Sequence, residues 1–282
     1  MGMYNNFKTA ILLALLTATL LWAGSFFGQT GFIFAAVFVV GMNFVSYFYS
    51  DKIVLKMYKA KEVNEGNERK LYMICKKLSI KTRLPMPKVY VIPDRNANAF
   101  ATGRNKNHSA VAATRGILDL LNDEELEGVM AHEFAHIKNR DILISTVAGM
   151  LAGIISYMAT MAQWSLIFGG GDEDSGSLLQ LLFLIILTPL IATIIQLSIS
   201  RSREYLADQT GAKFAGTGKS LASALEKLES QGKMNPMRIG NEATAHLFIS
   251  NPFSGAGKRF LGLLSTHPPM EERVRRLREM RI

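Results

Sequence analysis

The stretch EGVMAHEFAHIKNRDILISTVAGML, Glu127 to Leu151, joins two patterns: two histidines and a glutamate at metal-site spacing, and, almost without a connector, an apolar run long enough to enter a bilayer. In HEFAH, His132 and His136 stand four residues apart, about 40° around a helix, so both imidazoles project from one face. Glu133 stays within reach of that face. Two neutral imidazoles can hold Zn²⁺ while the carboxylate takes a proton from the attacking water, which is the metallopeptidase arrangement. Upstream, NDEE supports a helix start: Asn122 can cap the first turn and Glu125, three residues on, can reciprocate. Leu126, Val129 and Met130 supply the apolar face of the same helix.

Working outward, four stretches without a charged side chain are long enough to cross a bilayer as helices: Thr9 to Phe27, Gly31 to Ser50, Ile142 to Phe168 and Ser177 to Ser200. GQTG joins the first pair into a hairpin, and the acidic GGGDEDSG joins the second. Lys8, Lys52, Lys56, Lys59, Lys61, Lys138, Arg140, Arg201 and Arg203 all flank the spans on one side, while the two connecting turns hold no Lys or Arg. The excess of basic residues marks the cytoplasmic side, so both termini and both polar segments belong there. The first run is longer than the apolar core of a cleavable signal, about 7 to 15 residues.

Composition agrees with a mixed protein: 282 residues, 49% hydrophobic, mean hydropathy +0.15 and net charge +9. The basic residues gather beside the apolar runs, which points to a lipid surface and not to nucleic acid. Cys75 is the single cysteine, so no intrachain disulfide forms, and with no histidine near it in sequence it reads as a small buried hydrophobe.

The expected organisation is a transmembrane hairpin over 1–50, a first cytoplasmic part over 51–141, a second hairpin over 142–200 and a second cytoplasmic part over 201–282. The two polar parts make one domain, mainly α with a small β-sheet. VYVI (Val89 to Ile92), NAFAT (Asn98 to Thr102) and SAVAAT (Ser109 to Thr114) read as short strands, the last two closing a hairpin through GRNKNH.

A catalytic zinc keeps three protein ligands and one open position. SRSREYLAD offers Glu204 for the third, one turn beyond the fourth apolar run, with Asp208 a turn further along the same face. On residue pattern alone, Glu204 could equally be a surface carboxylate pairing with Arg201 or Arg203. GTGKS, Gly216 to Ser220, lacks a phosphate loop's first glycine, since Lys213 stands there, so no nucleotide site is expected. The tail ERVRRLREMRI reads as an amphipathic helix with a solvated basic face.

Taken together, HEFAH, REYLAD, NAFATG and THPPMEER resemble, in order and over essentially the whole length, the HtpX-type membrane zinc metalloproteases of bacteria and archaea, relatives of the CAAX prenyl proteases. The resemblance implies a zincin-like catalytic domain with one Zn²⁺ per chain, ligands His132, His136 and Glu204, and Glu133 as base. Asp141 and Asp208 match acidic positions near the site, where a carboxylate can orient a ligating imidazole. His267 and Arg273 resemble residues brought to the open side of the zinc, although His267, before two prolines, could simply cap a turn. Asn98, Ala99, Phe100, Ala101 and Thr102 lie where relatives present an edge strand to an extended substrate. The implied activity is endoproteolysis of misfolded or damaged membrane proteins at the cytoplasmic membrane. The rival readings are a narrow processing protease of the CAAX type and a non-catalytic scaffold with a structural zinc.

Overall fold

The computed structural model describes residues 28–151, 201–237, 239, 242–252 and 268–282, with scattered positions between 7 and 25. Most of the third expected span, the acidic turn, the fourth span and His267 lie outside the described residues.

Helix α1, Gly28–Met57, is 30 residues long with hydropathy 1.9, and among the described residues it is the one helix long and apolar enough to cross a membrane. It contains the expected Gly31 to Ser50 span but starts at Gly28, so all of GQTG is already helical. Asn43 Nδ2 donates to Thr17 Oγ1 at 3.0 Å, a contact between the first two apolar runs. Phe32, Phe34, Val37, Phe38 and Val40 are exposed along it. Tyr47, Phe48 and Tyr49 follow just before Asp51 and Lys52, the order in which aromatic and charged residues meet a membrane–water boundary. Arg104 lies over the Phe48 ring at 5.1 Å and ties the β-hairpin to that level.

Four strands form one mixed sheet: β1 Lys61–Glu62, β2 Lys88–Ile92, β3 Ala99–Asn105 and β4 His108–Thr114, in the order β1-β2-β4-β3. β3 and β4 form the hairpin read from the sequence. β2 runs parallel to β4, a long-range pairing that alternation does not reveal. Because side chains alternate across a strand, the sheet divides two cores. Val89, Val91, Ala99, Ala101, Val111 and Ala113 face the larger one. Ile92, Phe100, Ala110 and Ala112 face a second, built with Val54 and Tyr58 of the α1 end, Leu143 and Val147.

The larger core is helical. It is filled by α2 (Arg69–Thr82), α3 (Arg115–Leu120), α4 (Asp123–Asn139), α6 (Arg201–Ala215), α7 (Lys219–Met234) and α8 (Met270–Glu279), while α5 begins at Ile142 and is described to Leu151. Helix α4 opens on the expected capping box: Asn122 Oδ1 accepts from Glu125 N at 2.9 Å and Glu125 Oε2 from Asn122 N at 3.1 Å. Glu125 also accepts from Ser223 Oγ at 2.7 Å and Lys227 Nζ at 2.8 Å, so the start of α4 is pinned to α7. These donors outweigh burial and hold its carboxyl below the usual range.

At its other end α4 does not run straight into the third apolar run. Arg140 adopts a left-handed conformation (φ 59) and caps the helix, and α5 starts afresh at Ile142. The break places Asp141 beside His136. Helix α6 ends at Gly216, whose φ of +89 favours glycine. Gly216 to Gly218 are thus the turn between α6 and α7, and Lys219 and Ser220 of the GTGKS stretch open α7. Cys75 is buried in the larger core, and burial pushes its thiol up to about 12, which leaves it inert.

Candidate active site

Helices α4 and α6 cross closely because Gly211 sits against the His132 backbone, where a side chain would collide. The approach brings Glu204 to the two histidines. His132 Nε2 and His136 Nε2 are 3.0 Å apart, Glu204 Oε2 is 3.8 Å from the first, and Glu204 Oε1 is 3.7 Å from the second. One ligand atom from each residue lies within 4.8 Å of the others. Ligands at about 2.0 to 2.1 Å from a tetrahedral metal stand roughly 3.3 Å apart, so these separations bracket that spacing.

The outer nitrogens explain the orientation. His136 Nδ1 is 3.1 Å from Asp141 Oδ2, and His132 Nδ1 is 2.9 Å from Asp208 Oδ1, though the latter alignment falls short of a regular hydrogen bond. A carboxylate at Nδ1 favours the proton there and leaves the Nε2 lone pair free. Two such lone pairs and a carboxylate converging on one point repel one another unless a cation lies between them, either a metal ion or, without one, a proton on His136. The donor set therefore fits a divalent metal.

Charges inside the cluster shift its protonation. Burial, helped by the Glu204 charge, raises the Glu133 carboxyl to about 7, against the pull of His136, the Ala101 N–H that it accepts from, and Arg273. His136 is raised to about 10: burial opposes the cation, but Asp141, Glu204 and Glu133 outweigh it. His132 goes the other way, lowered by burial and by the charge of His136 despite Asp208. Asp208, although buried, is held low by Arg273 and His132.

Arg273 stands behind His132, His136 and Glu204, fully buried on α8. Its Nε and Nη2 donate to Asp208 at 2.8 and 2.7 Å, Nη1 donates to the Ile249 carbonyl at 3.1 Å, and Nη1 is 3.7 Å from Glu204 Oε2. The sequence reading set it on the open side of the metal; here its donors organise Asp208 and the neighbouring chain. The other arginines of the tail fit the expected solvated face: Arg275 and Arg276 pair with Glu272, and Arg278 with Glu226.

Asn98 to Thr102 runs beside Glu133, and β3 is an outer strand of the sheet. On sequence alone His246, in AHLFISNPF, reads as a packed or surface histidine, and the segment His246 to Ile249 has no assigned role. With Ala101, Glu133, His132, His136 and Glu204 it lines a cavity of about 30 Å³, room for little more than one water. No composition signal marks such a segment, because much of its attachment is through main-chain groups. His108 is exposed in the hairpin turn, bonded to Asn105.

The family model for Peptidase family M48 matches residues 65–281. The chain belongs to this family. Its M48 region contains β2, β3, β4, α4 and α6, while α1 and β1 precede the match. The "Protease HtpX homolog" of Syntrophobacter fumaroxidans is 51% identical over 284 residues, covering 99% of this chain and 100% of the relative. The protein of the same description from Pyrococcus furiosus is 50% identical over 283 residues, covering 99% and 97%. A crystal structure of S. mikatae Ste24p shares the fold, with a TM-score of 0.52 at 19% identity over 98% of this chain and 66% of that one. This M48 chain is accordingly a metallopeptidase of the HtpX type with protein substrates, and α1 gives it a membrane helix.

Proposed function

We propose that this M48 peptidase is a four-span zinc endopeptidase of the cytoplasmic membrane that cleaves misfolded or damaged membrane proteins at the cytoplasmic face. One observation carries the reading: His132, His136 and Glu204 converge beside Glu133 at the point where α4 turns into the apolar α5. A site so placed works at bilayer level. The parts 51–141 and 201–282 act as one zincin-like domain, supported by the packing of α4 on α6 and α7 within a common core. The hairpins 1–50 and 142–200 anchor it, with both termini in the cytoplasm.

In this reading His132, His136 and Glu204 hold the zinc, with Asp208 and Asp141 orienting the two imidazoles. When bound, the metal supplies Lewis-acid polarisation of the scissile carbonyl and of water. Glu133, buried beside the three metal-holding side chains, accepts the proton of the attacking water and returns it to the leaving nitrogen. A structural zinc would need no such base, which disfavours the scaffold reading. Arg273 keeps Asp208 ionised and in place, and His267 is assigned to the oxyanion. Asn98 to Thr102 offers its main chain to an extended substrate, so recognition is broad.

The test is metal analysis of the purified full-length protein alongside turnover of an unfolded membrane protein. One equivalent of zinc with cleavage lost on chelation and restored by zinc is expected; undiminished cleavage by the metal-free protein would refute the reading. For topology, cysteines at Gly170 and Ser175 should label from outside intact cells and one at Gly257 should not. External labelling at Gly257 would move the site to the other side of the membrane.

A further inference from the structure

An outer strand offers main-chain groups on its free side, and in β3 some of those groups are already taken. The Gly103 N–H goes to Thr146 Oγ1 at 3.3 Å, and the Ala99 N–H to Asn98 Oδ1 at 3.1 Å. The Ala99 carbonyl accepts from Ile249 N at 3.1 Å. Next to it, Asn98 Nδ2 donates to the Ser250 carbonyl at 2.8 Å and Asn98 Oδ1 accepts from Ser250 N at 3.3 Å. Ile249 opposes Ala99 and Ser250 opposes Asn98, so this short segment runs antiparallel to β3. It emerges from the 3-10 turn Glu242–Leu247 and is buried from Thr244 to Ser250 apart from Ala245. With His246 and Leu247 it closes the cavity in front of Glu133 and the three ligands.

Two kinds of contact hold it. The main-chain kind, Ile249 N to Ala99 O and Arg273 Nη1 to Ile249 O, is one that any extended peptide could reproduce. The side-chain kind is centred on Phe248. Its ring meets Tyr58 at 5.0 Å and 84° and Phe100 at 5.1 Å and 81°, edge-on to both. The Tyr58 hydroxyl is bonded in turn to Thr244 Oγ1. Phe248 thus fills an aromatic pocket one residue from the strand pairing, on the membrane side of the sheet.

We propose that residues 248–250 occupy the position of the substrate strand, with the turn before them closing its approach to Glu133, and that the Tyr58–Phe100 pocket holding Phe248 is the subsite for a large apolar side chain of the substrate. The inference rests on the peptidase reading above and adds what that reading leaves open. A cavity of about 30 Å³ admits no peptide, so the segment must leave before an extended chain can reach Glu133. A peptide whose side chain fills the vacated pocket replaces both kinds of contact and competes best. Apolar stretches are what an unfolded membrane protein presents, and burying them in native structure withholds them. Selectivity for unfolded substrates then follows from competition with Phe248.

The experiment uses the full-length, zinc-loaded protein in detergent, carrying Glu133→Gln to stop cleavage and Ser250→Cys as a reporter; Cys75, buried with its thiol raised to about 12, stays silent. The probes are an eight-residue serine-rich peptide with one phenylalanine and its counterpart without it. Peptide binding is read by fluorescence anisotropy, and exposure of the cysteine by its rate of reaction with a maleimide. The phenylalanine peptide should bind more tightly and speed labelling at least about fivefold, as expected when a ligand selects a minor open state. Binding without faster labelling overturns the proposal. Absence of any peptide binding counts against the peptidase reading itself, so the two failures are distinct. In the active enzyme, Phe248→Ser and Ile249→Pro should each lower KM severalfold with kcat and zinc content kept, because each removes one kind of contact. An unchanged KM, or activity lost with zinc retained, overturns it; if Phe248→Ser fails to fold, Ile249→Pro and the labelling rates decide.

Discussion

The two sides of the candidate active site are built from different materials. At the rear, α4, α6 and α8 hold His132, His136, Glu204, Asp208, Asp141 and Arg273 in a buried network of charges, each placed by another side chain. At the front, β3 and residues 246–250 meet largely through main-chain groups and one aromatic cluster. Interactions between buried charges are strong and costly to break singly, whereas a few main-chain bonds can be exchanged for equivalent ones at little net cost. The contrast suits a peptidase: the side that must hold metal is over-determined, and the side that must accept many sequences is replaceable.

The largest effect should come from the rear. Glu204→Ala removes the proposed third ligand and leaves Arg273 and the two imidazoles without its charge, so zinc affinity should drop by well over about 100-fold, more than loss of an outer partner costs, and proteolysis should cease. Calorimetric zinc binding at the parent affinity would show that Glu204 is not a ligand and would dissolve the contrast.

Glu133→Gln keeps the shape and loses the basic lone pair. Turnover should fall by about 10² to 10⁴ while zinc content and melting temperature are retained. A variant that loses zinc as well would make Glu133 part of the metal-holding side.

Asp208→Asn should weaken zinc binding by about 10- to 100-fold, because Arg273 loses its ionic partner and His132 its orienting carboxylate. The parent's zinc binding should also depend on pH. His136, raised to about 10, is protonated at pH 7 in the metal-free protein, and Glu133, at about 7, is half protonated. Binding should release between about one and two protons at pH 7, so affinity rises with pH. Calorimetry in buffers of different ionisation enthalpy measures the number; a value of zero would contradict the protonation of His136.

The smallest effect belongs to the scaffold that joins the two sides. Glu125→Gln weakens the link from α4 to Ser223 and Lys227 and should cost about 1 to 2 kcal/mol, partly because Lys227 is open to solvent. Since the folded Glu125 carboxyl is held low, its contribution is present above the unfolded value, about pH 4.3, and disappears as pH falls through the folded value. Thermal melts of parent and variant should converge in acid; a gap that persists there would locate the effect in packing and not in charge.

What the sequence determined by itself is what local periodicity can carry. Four-residue spacing places His132 and His136 on one face, Asn122 and Glu125 form their box within one turn, and the apolar run from Gly31 to Ser50 shows as α1 because length and hydropathy are properties of the segment alone. Alternation likewise outlined β2, β3 and β4 to within a few residues. Only the tertiary structure decided matters of partnership. Glu204 could have paired with a neighbouring arginine, and it is the close approach allowed by Gly211 that turns it to the histidines. The parallel pairing of β2 with β4, the left-handed break at Arg140 and the withdrawal of Arg273 onto Asp208 depend on elements distant in sequence or on the space between them. The segment across β3 was the least legible, for a physical reason: half its attachment is through peptide groups that every residue possesses, and such bonds leave no mark in the order of side chains.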